Sequence, residues 1–332
     1  MKKINKSINN KTILVTGGTG SFGKMFVKYV LDNYKPKKII IFSRDELKQF
    51  NMQEHLKKYK KKLRFFLGDI RDKDRLDLSL KNVDYVIHAA ALKQVPAAEY
   101  NPIEAIKTNV LGAQNLLLSC INNKVKKLIA LSTDKAVNPI NLYGATKLSS
   151  DKLLIAANNL SGTNGTKFSA VRYGNVLSSR GSVIPIFNSI KKDRKKVVPI
   201  TNMDMTRFFI SKKNAVEFVV DCLNVMKGGE IFVPKIPSLK ISELAQTIIK
   251  GCKIKVIGVR PGEKIHEVLI SREESIYTKE FKNLFIIYPI ILDKKKFSLK
   301  KKLIRFEYSS NLNKYFLKKN QIYAFLKKHN QI

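Results

Sequence analysis

Six short runs of apolar, largely β-branched residues, at 12–16, 38–42, 63–67, 85–89, 127–131 and 168–172, alternate with stretches whose apolar residues recur at helical spacing, among them 22–33, 103–122 and 144–160. The runs are apolar at nearly every position rather than at every second one. Each is then buried on both faces, the condition of a strand inside a parallel sheet. Parallel neighbours cannot be joined by tight turns; they need crossovers, and the intervening helical stretches supply them. The pattern predicts an α/β fold built on a doubly wound parallel sheet, in which ligands sit beyond the carboxyl ends of the strands.

Beyond Val176 this regularity breaks, and Pro185, Pro199, Pro234, Pro237 and Pro261 separate shorter elements. A chain of 332 residues is long enough for one such sheet with a companion unit, so a smaller, discontinuous C-terminal substrate domain is expected here. Residues 214–225 followed by 230–233 read as one more helix and strand added to the sheet. The expected division is 1–176 plus about 209–235 for the sheet domain, about 177–208 and 236–289 for the substrate domain, and a basic segment over 290–332. That segment carries 12 Lys or Arg against Asp293 and Glu307.

Across the chain, 63 Lys and Arg against 26 Asp and Glu leave a net charge of +37, which raises the question of nucleic-acid or membrane-surface binding. The excess is mostly Lys and is dispersed, alongside abundant Asn and Ile, as compositional bias produces without selection for binding. No nucleic-acid partner is expected, and the Phe and Leu residues of 315–326 read as a helix packed on the body. Cys120, Cys222 and Cys252 are far apart and contain no C-x-x-C, so neither a disulfide framework nor a zinc cage is supported and a reducing cytoplasm fits. The longest apolar runs, such as 284–292, reach about half of the ~20 residues a membrane-spanning helix needs. The basic stretch 1–11 has no apolar region behind it, so neither membrane insertion nor export is expected. His55, His266 and His329 show no metal-ligand spacing, and no metal is expected.

Thr16-Gly17-Gly18-Thr19-Gly20-Ser21-Phe22-Gly23 follows the first apolar run and opens a helix. Gly17 permits the tight turn, Gly20 lets backbone amides approach a pyrophosphate at the positive helix end, and Gly23 allows helix and strand to pack closely. This is the geometry of a dinucleotide site in a Rossmann-type sheet. At the end of the second run, a carboxylate would accept from the adenosine ribose 2′-hydroxyl and repel a 2′-phosphate. Phe42-Ser43-Arg44 stands there instead, and a hydroxyl beside a guanidinium suits the phosphate, so NADP is favoured over NAD. Asp45 follows at once and could still reach the ribose, while Arg44 could be a solvated surface charge. Asp69, just after the third run, is placed to meet the adenine.

Tyr143 and Lys147 are one helical turn apart, so both side chains share a face near a helix start. Ser132, at the end of the fifth run, could reach the same pocket. A nearby ammonium stabilises phenolate and would lower the tyrosine pKa from its ordinary ~10 towards that of a general base. His88 ends a buried run, where packing or a backbone hydrogen bond is expected rather than proton transfer. Asn109, inside a helix and facing inward, could hold a structural water near Lys147.

The stretches from Thr16 to Gly23 and from His88 to Ala91, with Asn109 and Tyr143/Lys147, resemble the extended short-chain dehydrogenase/reductases. Ser132-Thr133-Asp134-Lys135-Ala136-Val137-Asn138-Pro139 and Arg172-Tyr173-Gly174-Asn175-Val176 are similar, more specifically, to the UDP-N-acetylglucosamine 4,6-dehydratases, over about residues 11–287. Members of that group that retain configuration at C5 are typically membrane-anchored and have Met where this chain has Tyr143. The chain therefore resembles the inverting members, of the pseudaminic acid pathway. The resemblance implies cofactor contacts at Gly17, Thr19, Gly20, Ser21, Phe22, Gly23, Ser43, Arg44, Asp45, Lys48, Asp69, Ile70, Ala89, Ala90, Ala91, Lys93, Asn109, Ser132, Tyr143 and Lys147. It implies catalytic roles for Thr133, Asp134, Lys135, Tyr143 and Lys147, and substrate contacts at Lys93, Thr133, Tyr143, Asn175, Val176, Thr206, Arg207, Arg260 and Glu263. In that scheme Tyr143 takes the O4 proton, Lys135 is the base at C5, and Asp134 is the acid for the departing C6 hydroxyl. Burial must then raise the pKa of Asp134, and that of Lys135 must fall. Arg207 and Arg260 would meet the diphosphate and Glu263 the ribose. UDP-N-acetylglucosamine is the implied substrate, and a homo-oligomer, dimer or hexamer, is implied by the same likeness.

Two rival readings remain. A nucleotide-sugar 4-epimerase shares the glycine turn and the Tyr/Lys pair but needs neither an acid at C6 nor a base at C5. A non-catalytic nucleotide-sensing or nucleic-acid-binding protein would explain the charge but has little need of Asp134, Lys135, Tyr143 and Lys147 together.

Overall fold

The computed structural model describes residues 6–179, 181–194, 196–289 and 305–332. The six apolar runs become β1 (Thr12–Thr16), β2 (Lys38–Ser43), β3 (Leu63–Leu67), β4 (Tyr85–His88), β5 (Lys127–Thr133) and β6 (Lys167–Tyr173), parallel and in the spatial order β3-β2-β1-β4-β5-β6. The chain leaves the sheet for β7 (Asn175–Val176), β8 (Val197–Ile200) and β9 (Thr206–Ile210), then returns with β10 (Ile231–Pro234), parallel to β6. It leaves again for β11 (Ser238–Lys240), β12 (Lys253–Val256) and β13 (Val268–Ile270), and comes back with antiparallel β14 (Thr278–Glu280) and β15 (Leu284–Ile287). β16 (Tyr308–Ser309) pairs with β13. The expected substrate segment 236–289 thus ends inside the main sheet. β10 is buried at every residue, so its free edge needs a paired neighbour, which β15 provides.

The helices are α1 (Ser21–Asn33), α2 (Glu46–His55), α3 (Lys73–Ser79), α4 (Val95–Tyr100), α5 (Pro102–Ile106), α6 (Gly112–Asn122), α7 (Leu142–Leu160), α8 (Val183–Lys192), α9 (Lys212–Val225), α10 (Ile241–Ile248), α11 (Arg272–Ser275) and α12 (Lys319–Lys328). α1 packs on α9, and α3, α6 and α7 form a second row. Between α5 and α6 the backbone widens into a π-turn over Lys107–Leu111, so the expected continuous helix over 103–122 is interrupted.

Buried apolar side chains fall into two clusters. One, with Val15, Val27, Ile41, Ile87, Ile129, Phe168, Val219 and Phe232, fills the main sheet and its helices. The other, with Ile184, Phe187, Val198, Phe209, Leu244 and Ile248, lies beneath the small sheets and takes in Ile322 and Leu326 of α12. Part of the expected basic segment therefore packs on the body, while 290–304 lie outside the described residues. No helix among the described residues is long and apolar enough to cross a membrane.

Parallel register aligns the carboxyl ends of the strands. Thr16 stands opposite Phe42 and His88, and Thr133 opposite Tyr173. The chain reverses direction across the sheet between β1 and β4, which opens a crevice at that end.

Candidate active site

The turn from β1 into α1 is shaped by its glycines. Gly17 has φ +63°, and a Cβ there would stand 2.9 Å from the Ala89 carbonyl carbon. A Cβ on Gly23 would come within 2.5 Å of the Gly18 oxygen, so only glycine lets the first turn of α1 press on this loop. Gly20 caps α1 without a side-chain hydrogen bond, and the first turn holds no acid. Backbone N–H groups therefore open at the positive end of α1 with no acid in its first turn, which fits a dinucleotide pyrophosphate. Thr19 is buried beside this turn, Ser21 begins α1, and Phe22 stacks on Phe26 in the core.

At the ends of β2 and β3 the charges are already sorted. Asp45 caps α2, its Oδ1 accepting from the Lys48 N–H at 2.9 Å and its other oxygen pairing with the Lys48 ammonium. The Ser43 hydroxyl accepts from Gln49 Nε2 at 3.0 Å. Asp69 accepts from Arg71 at 2.7 Å and has Arg44 Nη1 at 3.5 Å, with the Arg44 side chain 53% exposed. These cations, with the backbone bond from Arg71, hold its carboxyl below the usual range although burial opposes them. Ile70 is buried against the site where Gly112 lacks a side chain.

Beyond β4, Thr16 Oγ1 meets His88 Nδ1 at 2.8 Å and accepts from the N–H groups of Ala89 and Ala90 at 3.2 and 3.3 Å. Burial, aided by the Lys147 charge, drives the His88 pKa down to about 3, so the ring is neutral, in agreement with a packing and hydrogen-bonding role. Asn109, turned inward by the π-turn, donates to the Leu92 carbonyl at 2.8 Å and to Thr146 Oγ1 at 3.0 Å, and accepts from the Leu92 N–H at 2.8 Å. Its amide ties the strand-end loop to α7 through these bonds. Ala91 and Lys93 follow on the exposed rim, where partial desolvation and the Lys135 charge lower the Lys93 pKa.

Two expectations change at β5. Ser132 donates to Asp151 Oδ2 at 2.5 Å, and Asp151 lies 3.6 Å from Arg172, so this hydroxyl serves a buried ionic cluster rather than the Tyr143 pocket. The residue after it does the work, since strand alternation sends neighbouring side chains to opposite faces. Thr133 Oγ1 caps the turn over Asp134–Ala136, donates to Asp134 Oδ1 at 2.9 Å, and lowers the pKa of Tyr143. Gly144 lets α7 start hard against that turn, because any Cβ would collide with the Lys135 carbonyl. Tyr143 is pushed up to about 12 by burial, and the cation that pulls it back is Lys135, not Lys147. Lys147 is buried, which lowers its pKa against the pull of Asp151.

Asp134 is 1% exposed, and burial followed by the Glu267 charge raises its pKa, overcoming Lys135. Its Oδ2 has no hydrogen-bond partner and faces the space that Gly174 leaves by lacking a side chain. Lys135 Nζ lies 3.1 Å from Asp134 Oδ1 and 3.1 Å from Glu267 Oε1. Burial lowers its pKa, but the two carboxylates raise it further, so the lowering expected for a base is not found.

From the second lobe, Arg207 is buried and its Nη1 donates to the carbonyls of Thr206 and Ile265, its Nη2 to that of Lys264. Nε stands 3.6 Å from Glu267, and Nη2 3.6 Å from Glu263. Arg207 is a brace whose donors are committed, and Thr206 is tied to His266 and Ser310 through its hydroxyl. Of the two arginines expected at a diphosphate, Arg260 alone is exposed, on the turn it closes with Glu263. That turn is tied to the β5–α7 loop: Asn141, which caps α7, donates to the Gly262 carbonyl at 2.7 Å, and Lys264 Nζ to that of Val137 at 2.6 Å. Asn175 and Val176 lie half-buried in β7 beside β9. Glu267, Asn141 and Lys264 escaped the sequence reading. For Glu267 the available signal was a single carboxylate inside Ile265-His266-Glu267-Val268-Leu269-Ile270, which burial obliges to find a cation.

The chain was compared with known proteins. A family model described as polysaccharide biosynthesis protein matches residues 13–289. A UDP-N-acetylglucosamine 4,6-dehydratase (inverting) of Campylobacter jejuni is 56% identical over 283 residues, covering 85% of this chain and 84% of that protein. A UDP-glucose 4-epimerase of Rickettsia bellii is 46% identical over 287 residues, covering 84% and 83%. The X-ray structure of Pen from Bacillus thuringiensis superposes with a TM-score of 0.88 at 36% identity, covering 97% of this chain and 99% of that one.

Proposed function

The chain belongs to the polysaccharide biosynthesis protein family, within the extended short-chain dehydrogenase/reductases, and from that premise we propose that it is an inverting UDP-N-acetylglucosamine 4,6-dehydratase. The observation that carries this reading is the pair of buried Asp134 and half-buried Lys135 beside Tyr143 at the carboxyl end of β5, where a 4-epimerase has no use for it. The dinucleotide, when bound, accepts hydride from C4 of the sugar and returns it to C6.

Everything else is done by the chain. Tyr143 takes the O4 proton as a phenolate, the form that the Lys135 charge and Thr133 favour against burial. With C4 a ketone, the C5 proton is acidic. The pair must hold one proton in the form of a carboxylic acid and a neutral amine, which a transfer from Lys135 Nζ to Asp134 Oδ1 across 3.1 Å provides. The amine takes the C5 proton, the electrons of that bond form the C5–C6 double bond, and the C6 hydroxyl leaves as water with the proton of Asp134. Reprotonation of C5 by a solvent-derived proton, on the face opposite Lys135, inverts that centre. Lys93 and Arg260, on the exposed rim, receive the diphosphate, and Glu263 the uridine ribose, while Asn175 and Val176 flank the sugar.

The cofactor is NADP. Asp45 is engaged in capping α2 and in pairing with Lys48, so its charge is offset and Arg44, on the exposed surface, is the group to meet a 2′-phosphate. We assign the sheet and its helices to the cofactor, and the region of the second apolar cluster to the sugar nucleotide. Work in the cytoplasm as a homo-oligomer, at the first step towards a pseudaminic-acid-type sugar, accords with this chemistry.

The Rickettsia relative keeps a 4-epimerase in play as the second reading. Incubation with UDP-N-acetylglucosamine and NADP in deuterated water separates them. A 6-deoxy-4-keto product carrying deuterium at C5, with ring couplings of the inverted centre, is expected in the proton spectrum; unlabelled UDP-N-acetylgalactosamine would refute the dehydratase.

A further inference from the structure

Glu267 is 1% exposed and touches neither lobe's solvent surface, yet it sits at the junction of three elements. Its Oε1 lies 3.1 Å from Lys135 on the turn after β5 and 3.6 Å from Arg207 on β9, and its Oε2 is buried without a hydrogen-bond partner. Its backbone is fixed from a fourth place in the chain. The Glu267 N–H donates to Ser310 Oγ at 2.9 Å, and the Ser310 N–H donates to the Glu267 carbonyl at 2.8 Å. Ser310 also bonds Thr206 Oγ1 at 2.6 Å, so the residues on either side of the ion pairs are held by one hydroxyl. A buried carboxylate anchored this thoroughly, with one oxygen on the catalytic lysine, exceeds what packing requires.

We propose that Glu267 is a positioning residue for the Asp134–Lys135 pair: its carboxylate, on a backbone fixed by Ser310, holds the Lys135 ammonium against Asp134 and keeps one proton resident on the pair. The inference rests on the dehydratase reading above and adds a residue to it. The groups facing Lys135 are Asp134, Glu267, Arg207, Lys93, Lys264 and Tyr143. Only the first two are carboxylates. The reactive pair carries a single proton, so the rate falls at low pH when a second proton arrives and at high pH when the last one leaves. A negative charge beside the pair raises both of these limits, and the high-pH limit more, because Glu267 contacts Lys135 directly.

The test is the pH profile of kcat/KM for UDP-N-acetylglucosamine with the NADP-loaded enzyme. Glu267→Gln keeps the shape and removes the charge. It is expected to lower kcat, leave KM unchanged, and move the high-pH limb down by about 1 pH unit or more. If the Gln variant does not fold, Glu267→Asp draws the carboxylate back by one methylene and must move the same limb in the same direction by less. A limb at the wild-type pH, in whichever variant folds, overturns the proposal, even if the rate has dropped, because lost packing alone does not shift a titration. Failure of the wild-type enzyme to form any 6-deoxy-4-keto product would sink the dehydratase reading and this role together, whereas wild-type turnover with an unmoved limb removes only the role of Glu267.

Discussion

Arg44 and Asp45 are neighbours at the end of β2, and the proposed preference for NADP rests on the difference between their environments. The carboxylate of Asp45 is consumed by the first turn of α2, while the guanidinium of Arg44, its side chain 53% exposed, approaches Asp69 at 3.5 Å. Arg44→Ser is expected to weaken NADP binding about tenfold or more, the worth of one charge-assisted hydrogen bond, and to leave NAD unaffected. Calorimetric titration with both dinucleotides checks this, and an equal loss for the two would count against the assignment. The glycine turn and the Tyr143/Lys147 spacing were readable because backbone sterics and helical periodicity are local properties. Glu267 was not, because its meaning comes from Lys135 and Arg207, which are remote in sequence and meet it only after β5, β9 and β13 have been assembled. Ser132 misled for a related reason: a one-residue step along a strand sends the side chain to the other face, and the neighbouring Asp151 and Arg172 that claim it lie in α7 and β6.

Elements are set by how closely they approach. α1 presses on the turn after β1 through Gly23, where an added Cβ would stand 2.5 Å from the Gly18 oxygen and 2.7 Å from that of Gly17. Both obstacles are backbone and cannot swing aside. Gly23→Ala should cost about 1–3 kcal/mol of stability and tilt the N–H groups of α1 away from the pyrophosphate. Thermal melts with and without NADP read both effects; an unchanged melting temperature together with an unchanged NADP-induced shift would show that the approach is looser than described. The parallel strands β1–β6 and β10 lay within one or two residues of their expected ends, because each is a continuous apolar run that has to be buried, whereas the antiparallel β14 and β15 were not foreseen. The small strands, two to five residues long, gave no such run, and the π-turn at Lys107–Leu111 has no sequence period of its own. Its effect, the turning of Asn109 onto Leu92, emerges only when the β4 loop is in place.

For the molecule as a whole, acid is the vulnerable side. His88 has a folded pKa of about 3 and, once unfolded, an ordinary value near ~6.5, so between these limits the unfolded chain binds a proton that the folded chain does not. Stability from this group is intact above about pH 6.5 and falls as pH drops, with a limiting slope of about 1.4 kcal/mol per pH unit. His88→Gln, which retains a hydrogen-bonding group for Thr16, should flatten the difference in urea midpoint between pH 7 and pH 5; an equally steep loss in the variant would exclude His88 as its source. The return of the chain to the second lobe has a different bearing. Ser310 clamps both Glu267 and Thr206, and Ile322 and Leu326 complete the smaller core. Since a chain emerges from the ribosome N-terminus first, β1–β6 can pair while the junction at Glu267 still waits for Ser310 and α12. The two halves of the molecule would then become ordered at different moments of synthesis, the parallel strands first and the clamp on Glu267 and Thr206 after them.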